Sequence, residues 1–149
     1  MRVDQLPSCI VIDASLGLKW VFEEANSEQA NALGLGRELV TSVLFWAEAA
    51  NAIATRVRRG DITRAVGDDA FRDLQAAPLQ VRPLRADGVR TALEIAHDLA
   101  HPIYDCCYLA VAMAEDAVVV TADRRFRAAA MRLPSLADRV LLLRDISLA

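Results

Sequence analysis

The sequence predicts one three-layer α/β/α domain built on a central, mainly parallel sheet of about four to five strands. Three observations predict it. Continuously apolar runs rich in β-branched residues, at 8–13 and 117–121, have the composition of strands buried on both faces. These and weaker strand-like runs alternate with segments of helical period, the order that gives a parallel sheet covered by helices. The 149 residues hold no repeat, no low-complexity tract and no linker long enough to separate domains, and 54% of them are hydrophobic, enough for one full core. Residues 1–149 are therefore expected to form a single domain.

The first strand, 8–13, leads into a helix over 14–22, with Ser15 as a plausible cap. A second helix is expected over 27–35, stopped by Gly36, and then a short strand over 38–41. Ser42 should cap a long helix reaching Arg59, with Gly60 just past its end. Within it Val43, Leu44, Ala47, Ala50, Ile53, Ala54 and Val57 recur at helical spacing and mark the expected core face. Trp46 reads as core packing. A helix over 63–75 is closed by Pro78, and 79–84 alternates like a strand whose Pro83 suggests an edge or an end. Helices over 87–99 and 104–115 are separated by His101 and Pro102. The strand 117–121, a short helix over 124–132 and a last strand over 140–143 complete the chain.

The formal net charge of −3 speaks against a general basic coat for nucleic acid, though not against a local site acting on RNA. Cys9, Cys106 and Cys107 have no metal-ligand spacing and read as buried reduced thiols. The N-terminal residues lack the pattern of a signal peptide, and no apolar stretch is long enough to span a bilayer. A soluble cytoplasmic protein with no membrane partner is expected.

Four acids stand out. Asp13 ends the first strand and Asp123 follows the 117–121 strand by two residues, so both should lie at the carboxyl edge of the sheet, where open parallel sheets bind ligands. Helix capping would explain either one alone, but less readily two at equivalent places. Glu48 lies in a helix that is apolar from Trp46 to Ile53 apart from itself and Asn51, which follows it by three on one face. An acid there is costly without a partner, unless it reaches water at the edge. Asp105 lies in the first turn of a wholly apolar helix, where it also suits the helix dipole. Two carboxylates about 4 Å apart repel by roughly 4 kcal/mol at an effective dielectric of 20. A converging quartet would thus hold protons or require a cation, and all-oxygen donors suit Mg²⁺ or Mn²⁺. Such a cation could activate water for attack on a phosphodiester.

Taken together, four segments resemble the motifs of the PIN-domain ribonucleases, and among them the VapC toxins of bacterial toxin–antitoxin pairs. They are VIDAS ending at Ser15, SVLFWAEAAN ending at Asn51, IYDCCYLAVA beginning at Ile103, and VVTADRRF ending at Phe126. The resemblance spans essentially the whole chain. It implies that Asp13, Glu48, Asp105 and Asp123 bind one or two Mg²⁺ or Mn²⁺ ions, with Ser15, Asn51 and Thr121 orienting ligands or water. It also implies an RNA substrate, a VapB-like antitoxin partner and a homodimer. The adjacent Cys106 and Cys107 depart from the small non-thiol residues usual in that family.

Arg124, Arg125 and Arg127 could hold RNA phosphates or could simply form a solvated helix face. Arg56, Arg58 and Arg59 end a helix and suit its dipole. His97 and His101 are four apart, but Pro102 and the lack of an intervening glutamate argue against a metal pair. A dehalogenase-type phosphatase needs a second acid where Ser15 stands, and a receiver domain needs a late lysine, whereas the one lysine is Lys19. A housekeeping RNA-processing nuclease of the same fold, or a non-catalytic binding module, are the remaining alternatives.

Overall fold

In the computed structural model, which describes residues 1–148, strand β1 (Cys9–Ile12) forms the middle of the sheet. Its Ile10, Val11 and Ile12 are fully buried, as strands covered on both faces require. On one side lie β2 (Glu38–Ser42) and the edge strand β3 (Leu79–Arg82); on the other lie β4 (Val118–Thr121) and the edge strand β5 (Val140–Leu142). Every neighbouring pair is parallel, and Val11 sits opposite Val40 on one side and Val119 on the other. The expected α/β architecture is thus realised with five strands, all of them parallel.

Helices make each crossover and flank the sheet. Between β1 and β2 run α1 (Ala14–Val21) and α2 (Ser27–Leu33), and between β2 and β3 run α3 (Leu44–Arg59) and α4 (Arg64–Gln75). The long return from β3 to β4 contains α5 (Ala86–Leu99) and α6 (Ile103–Ala114). Helix α6 packs against α5 and lies across β1, β2 and β4, and it is buried continuously from Cys106 to Ala112. Helices α7 (Arg124–Ala130) and α8 (Pro134–Ala137) close the chain before β5. No helix of the described residues is long and apolar enough to cross a membrane.

One glycine sets the distance between α1 and α3. A Cβ on Gly17 would lie 2.6 Å from Cε2 of the Phe45 ring and closer still to Cζ, nearer than atoms can approach. The missing side chain lets Phe45, fully buried, seat directly on α1. Phe45 is also the first residue of the stripe Phe45, Ala49 and Ile53 that α3 buries. This differs from the expected core face, because Val43 is 48% exposed and Ala47 and Ala54 are not buried either. The bulky aromatic at position 45 chose the face, and small alanines on the other side carry little burial free energy to oppose it. Trp46 is partly buried, edge-on to Phe45 and Phe71.

The caps also differ from expectation. Asp13, not Ser15, caps α1, accepting the Leu16 amide at 3.0 Å. Helix α3 starts at Leu44 with no side-chain cap; the Ser42 hydroxyl only accepts the Leu44 amide at a long 3.3 Å. Helix α2 ends at Leu33, before the left-handed Gly36, and α7 ends at Ala130 rather than 132. Gly60 ends α3 in the left-handed conformation (φ +78), as expected. The single turn α8, opened by Pro134, leaves no mark in the sequence because four residues have no period.

Candidate active site

The strand order reverses next to β1. The chain fills β2 and β3 on one side and returns to β4 and β5 on the other, so crossovers diverge at the carboxyl ends of β1 and β4. Divergent crossovers leave a crevice there. Asp13 directly follows β1, and Asp123 follows β4 by two residues.

Asp13 is 3% exposed and fully engaged. One carboxylate oxygen accepts the Ser15 hydroxyl at 2.7 Å and the Leu16 amide at 3.0 Å, while the other accepts the Thr121 hydroxyl. Ser15 in turn accepts the Ala122 amide at 3.1 Å, and Thr121 Oγ1 accepts the Asp123 amide at 3.0 Å. The two hydroxyls therefore stitch the end of β1 to the end of β4. Burial pushes the Asp13 carboxyl from 3.8 up to about 6, against the pull of those hydrogen bonds, and nearby Asp105 adds to the rise.

Glu48 enters from α3 and is half-buried, accepting the Tyr108 hydroxyl at 2.9 Å on Oε1. Burial raises its carboxyl above the ordinary value, the tyrosine bond lowers it, and the charges of Asp105 and Asp13 raise it further. Asp105, in the first turn of α6, lies 2.7 Å from the Nε2 of His101. Burial raises Asp105 most, His101 opposes that, and Asp123 adds to it. Asp123 caps α7, with Oδ1 accepting the amides of Arg125 at 2.7 Å and Phe126 at 3.3 Å. Three of the acids thus feel the charge of another: Asp13 that of Asp105, Glu48 those of Asp105 and Asp13, and Asp105 that of Asp123.

Among the described residues, no three His, Cys, Asp or Glu side chains stand close enough together to enclose an ion as they are. The donor chemistry nevertheless fits a hard cation. Glu48 Oε2, Asp105 Oδ1 and Asp123 Oδ2 accept no hydrogen bond among the described residues, so each acid keeps one oxygen for an outside partner. Burial first, and neighbouring carboxylates after it, raise Asp13, Glu48 and Asp105 alike, a penalty that a bound cation would offset.

Other expected residues separate. Ser15 and Thr121 are built into the centre, whereas Asn51 is exposed on α3 with no bond to Glu48. Arg124 and Arg125 are exposed at the start of α7. Arg127 is engaged by the carbonyls of Ala137 and Val140, the latter at 2.6 Å, and so ties α7 to the start of β5. Cys106 and Cys107 are buried free thiols whose ionisation burial opposes.

Two residues next to the acids give little signal in the sequence. Tyr108, fully buried, disappears into the apolar run of α6. A buried tyrosine needs a partner for its hydroxyl, which is the available clue to a buried acid opposite it. His101 reads in the sequence as part of a helix break and, with His97, as an unconvincing metal pair. Its ring instead stacks on Phe126 of α7 at 5.4 Å and holds Asp105, linking the helix of Asp105 to the helix that Asp123 caps.

Residues 10–131 match the PIN domain family model. No curated protein sequence matches the chain. Among solved structures, a protein of Pyrobaculum aerophilum superposes with TM-score 0.65 at 20% identity, covering 91% of this chain and 84% of that one. VapBC2 of Rickettsia felis, solved bound to a DNA fragment from its promoter, gives 0.64 at 14% identity over 90% of this chain and 98% of that one. Mycobacterium tuberculosis VapC20, described as a sarcin-ricin loop cleaving toxin, gives 0.60 at 20% identity over 80% and 94%. At these identities the likeness is one of fold.

Proposed function

Because the chain belongs to the PIN-domain family, we propose that it is a metal-dependent endoribonuclease acting at Asp13, Glu48, Asp105 and Asp123. The observation that supports this most is that Asp13 and Asp123 stand at the switch point joined through Thr121, while Glu48, Asp105 and Asp123 each keep one free carboxylate oxygen.

Glu48, Asp105 and Asp123 would hold Mg²⁺ or Mn²⁺ through those free oxygens, and Asp13 would complete the set by releasing a hydroxyl donor. A bound hard cation supplies an activated water and offsets charge on the phosphate oxygens. The chain's own groups orient the acids. Ser15 and Thr121 fix Asp13, Tyr108 fixes Glu48, and His101 fixes Asp105. Asn51, exposed one turn beyond Glu48, would meet the substrate or a water. Arg124 and Arg125 would approach RNA phosphates, while the carbonyls that hold Arg127 leave it a structural role.

The test is cleavage of a structured RNA by the purified chain. Cutting should require Mg²⁺ or Mn²⁺, stop with EDTA and be lost in Asp13→Asn without loss of fold. Activity that survives EDTA or this substitution would refute the mechanism.

The toxin role rests on likeness to VapC20 and to the Rickettsia felis complex. In this reading the chain, as one domain, acts in the cytoplasm, inhibits translation and growth, forms a homodimer and is restrained by a VapB-like antitoxin. Expression alone should arrest growth, and co-expression of a small neighbouring protein should relieve it. Harmless overexpression of active enzyme would remove the toxin role and leave the nuclease.

A further inference from the structure

A cavity of about 370 Å³ opens at the carboxyl edge of β4 and β5, lined by Lys19, Asn26, Ala122, Arg124, Leu143 and Arg144. Topology brings these residues together. Lys19 lies in the last turn of α1, Ala122 and Arg124 flank Asp123, and Arg144 lies in the 3-10 turn after β5. The cavity shares a wall with the acidic centre, because the Ala122 amide is held by Ser15, which also holds Asp13.

The charge of the cavity is opposite to that of the centre and of the chain, whose net charge is −3. Lys19 is only 12% exposed, and its ammonium donates to the Ala25 carbonyl at 2.8 Å and to Glu24 at 3.2 Å. Glu24 is also bound by Arg56, so Lys19 shares its one carboxylate with a second cation. Arg124 and Arg144 have no carboxylate partner among the described residues. Arg124 and Arg144 thus face one cavity with no anion between them, beside a lysine already held by Glu24.

We propose that this cavity binds a backbone phosphate of the RNA flanking the scissile bond on the β5 side. The inference rests on the nuclease reading above. A phosphodiester suits the site better than a protein carboxylate, because an RNA strand laid over the acidic centre carries its next phosphates past it. Arginine forks grip phosphate oxygens in pairs, and the cavity volume is that of a small-ligand pocket. The cavity would thereby offset the repulsion between RNA and the four acids and set the direction in which the strand crosses them.

The test measures binding of an unstructured RNA oligonucleotide by the full chain carrying Asp13→Asn, across a range of salt. Adding Arg144→Ala should lower the slope of log affinity against log salt by about 0.7, the value for one contact on a single strand. Arg64→Ala, on the exposed surface of α4, should leave the slope unchanged. In the cutting enzyme, Arg144→Ala should raise KM and hold kcat. A neutral methylphosphonate at the flanking linkage should abolish the difference between Arg144→Ala and its parent. An unchanged slope and KM in an enzyme that cuts RNA would overturn the cavity and leave the nuclease. Loss of antitoxin binding by Arg144→Glu, with RNA binding intact, would assign the cavity to the protein partner and overturn the inference. A chain that cuts no RNA with either metal would end both.

Discussion

Replacing Asp13 by asparagine should make the metal-free protein more stable at neutral pH while abolishing its proposed activity. The folded protein raises this carboxyl from 3.8 to about 6, so it binds a proton more tightly than the unfolded chain does. Folding is then favoured below the unfolded value, and that advantage fades as pH rises through the window from about 4 to about 6. A rise of about two units, at 1.36 kcal/mol each, means that the buried charge costs on the order of 3 kcal/mol at pH 7.5. That figure already includes the bonds from Ser15, Thr121 and Leu16, since they lower the value that burial raises. Asparagine approximates the protonated acid. The two proteins should therefore have similar stability below pH 4 and diverge between about pH 4 and 6, with the variant ahead by up to about 3 kcal/mol above that window. In a chain of this size each 1 kcal/mol moves Tm by about 2–4 °C. Urea unfolding in EDTA at pH 4.5, 6 and 7.5 is the assay. Adding Mn²⁺ should raise the Tm of the parent more than that of the variant, because the cation binds the ionised form. If the parent loses no stability relative to the variant between pH 4.5 and 7.5, the argument for uncompensated charge at this centre fails.

Tyr108→Phe removes the donor on Glu48 and little volume, so the fold should persist with a loss of about 1–3 kcal/mol. Because the tyrosine bond lowers the Glu48 carboxyl, the acid limb of the cleavage pH profile should move to higher pH and kcat should fall; an unchanged profile would deny Tyr108 a positioning role. Gly17→Ala sets a Cβ against the Phe45 ring and should destabilise by roughly 1–3 kcal/mol as α3 is pushed from α1. Since α3 carries Glu48, cleavage should fall even at temperatures where the variant is folded, as far-UV dichroism and rate measured together would reveal.

Much of the fold was legible because its signals are local. The β-branched runs at β1 and β4 name buried parallel strands without reference to the rest of the chain, and Gly60 marks a helix end by its own backbone freedom. The face of α3 was not legible, since two apolar stripes competed and the decision came from Gly17, nearly thirty residues earlier. The acids Asp13 and Asp123 could be found from strand ends alone. The partners of Glu48 and Asp105 could not, because Tyr108 is sixty residues from Glu48 and looks like core, while His101 looks like a helix break. The basic cavity is spread over four separate stretches of chain and has no sequence signature.

Asp123, like Asp13 and unlike Glu48 and Asp105, is fastened to the backbone, with two amides of α7 on a single oxygen. A lineage released from selection for activity is therefore not free to discard its acids in any order. Losing Glu48 would relieve a half-buried charge, whereas losing Asp123 would unravel the start of a helix whose Phe126 belongs to the core. Inactive descendants of this chain should shed the glutamate early and keep the aspartate long after it has ceased to serve any reaction. An aspartate at this position is thus a poor sign of a living enzyme, and a glutamate at position 48 is a better one.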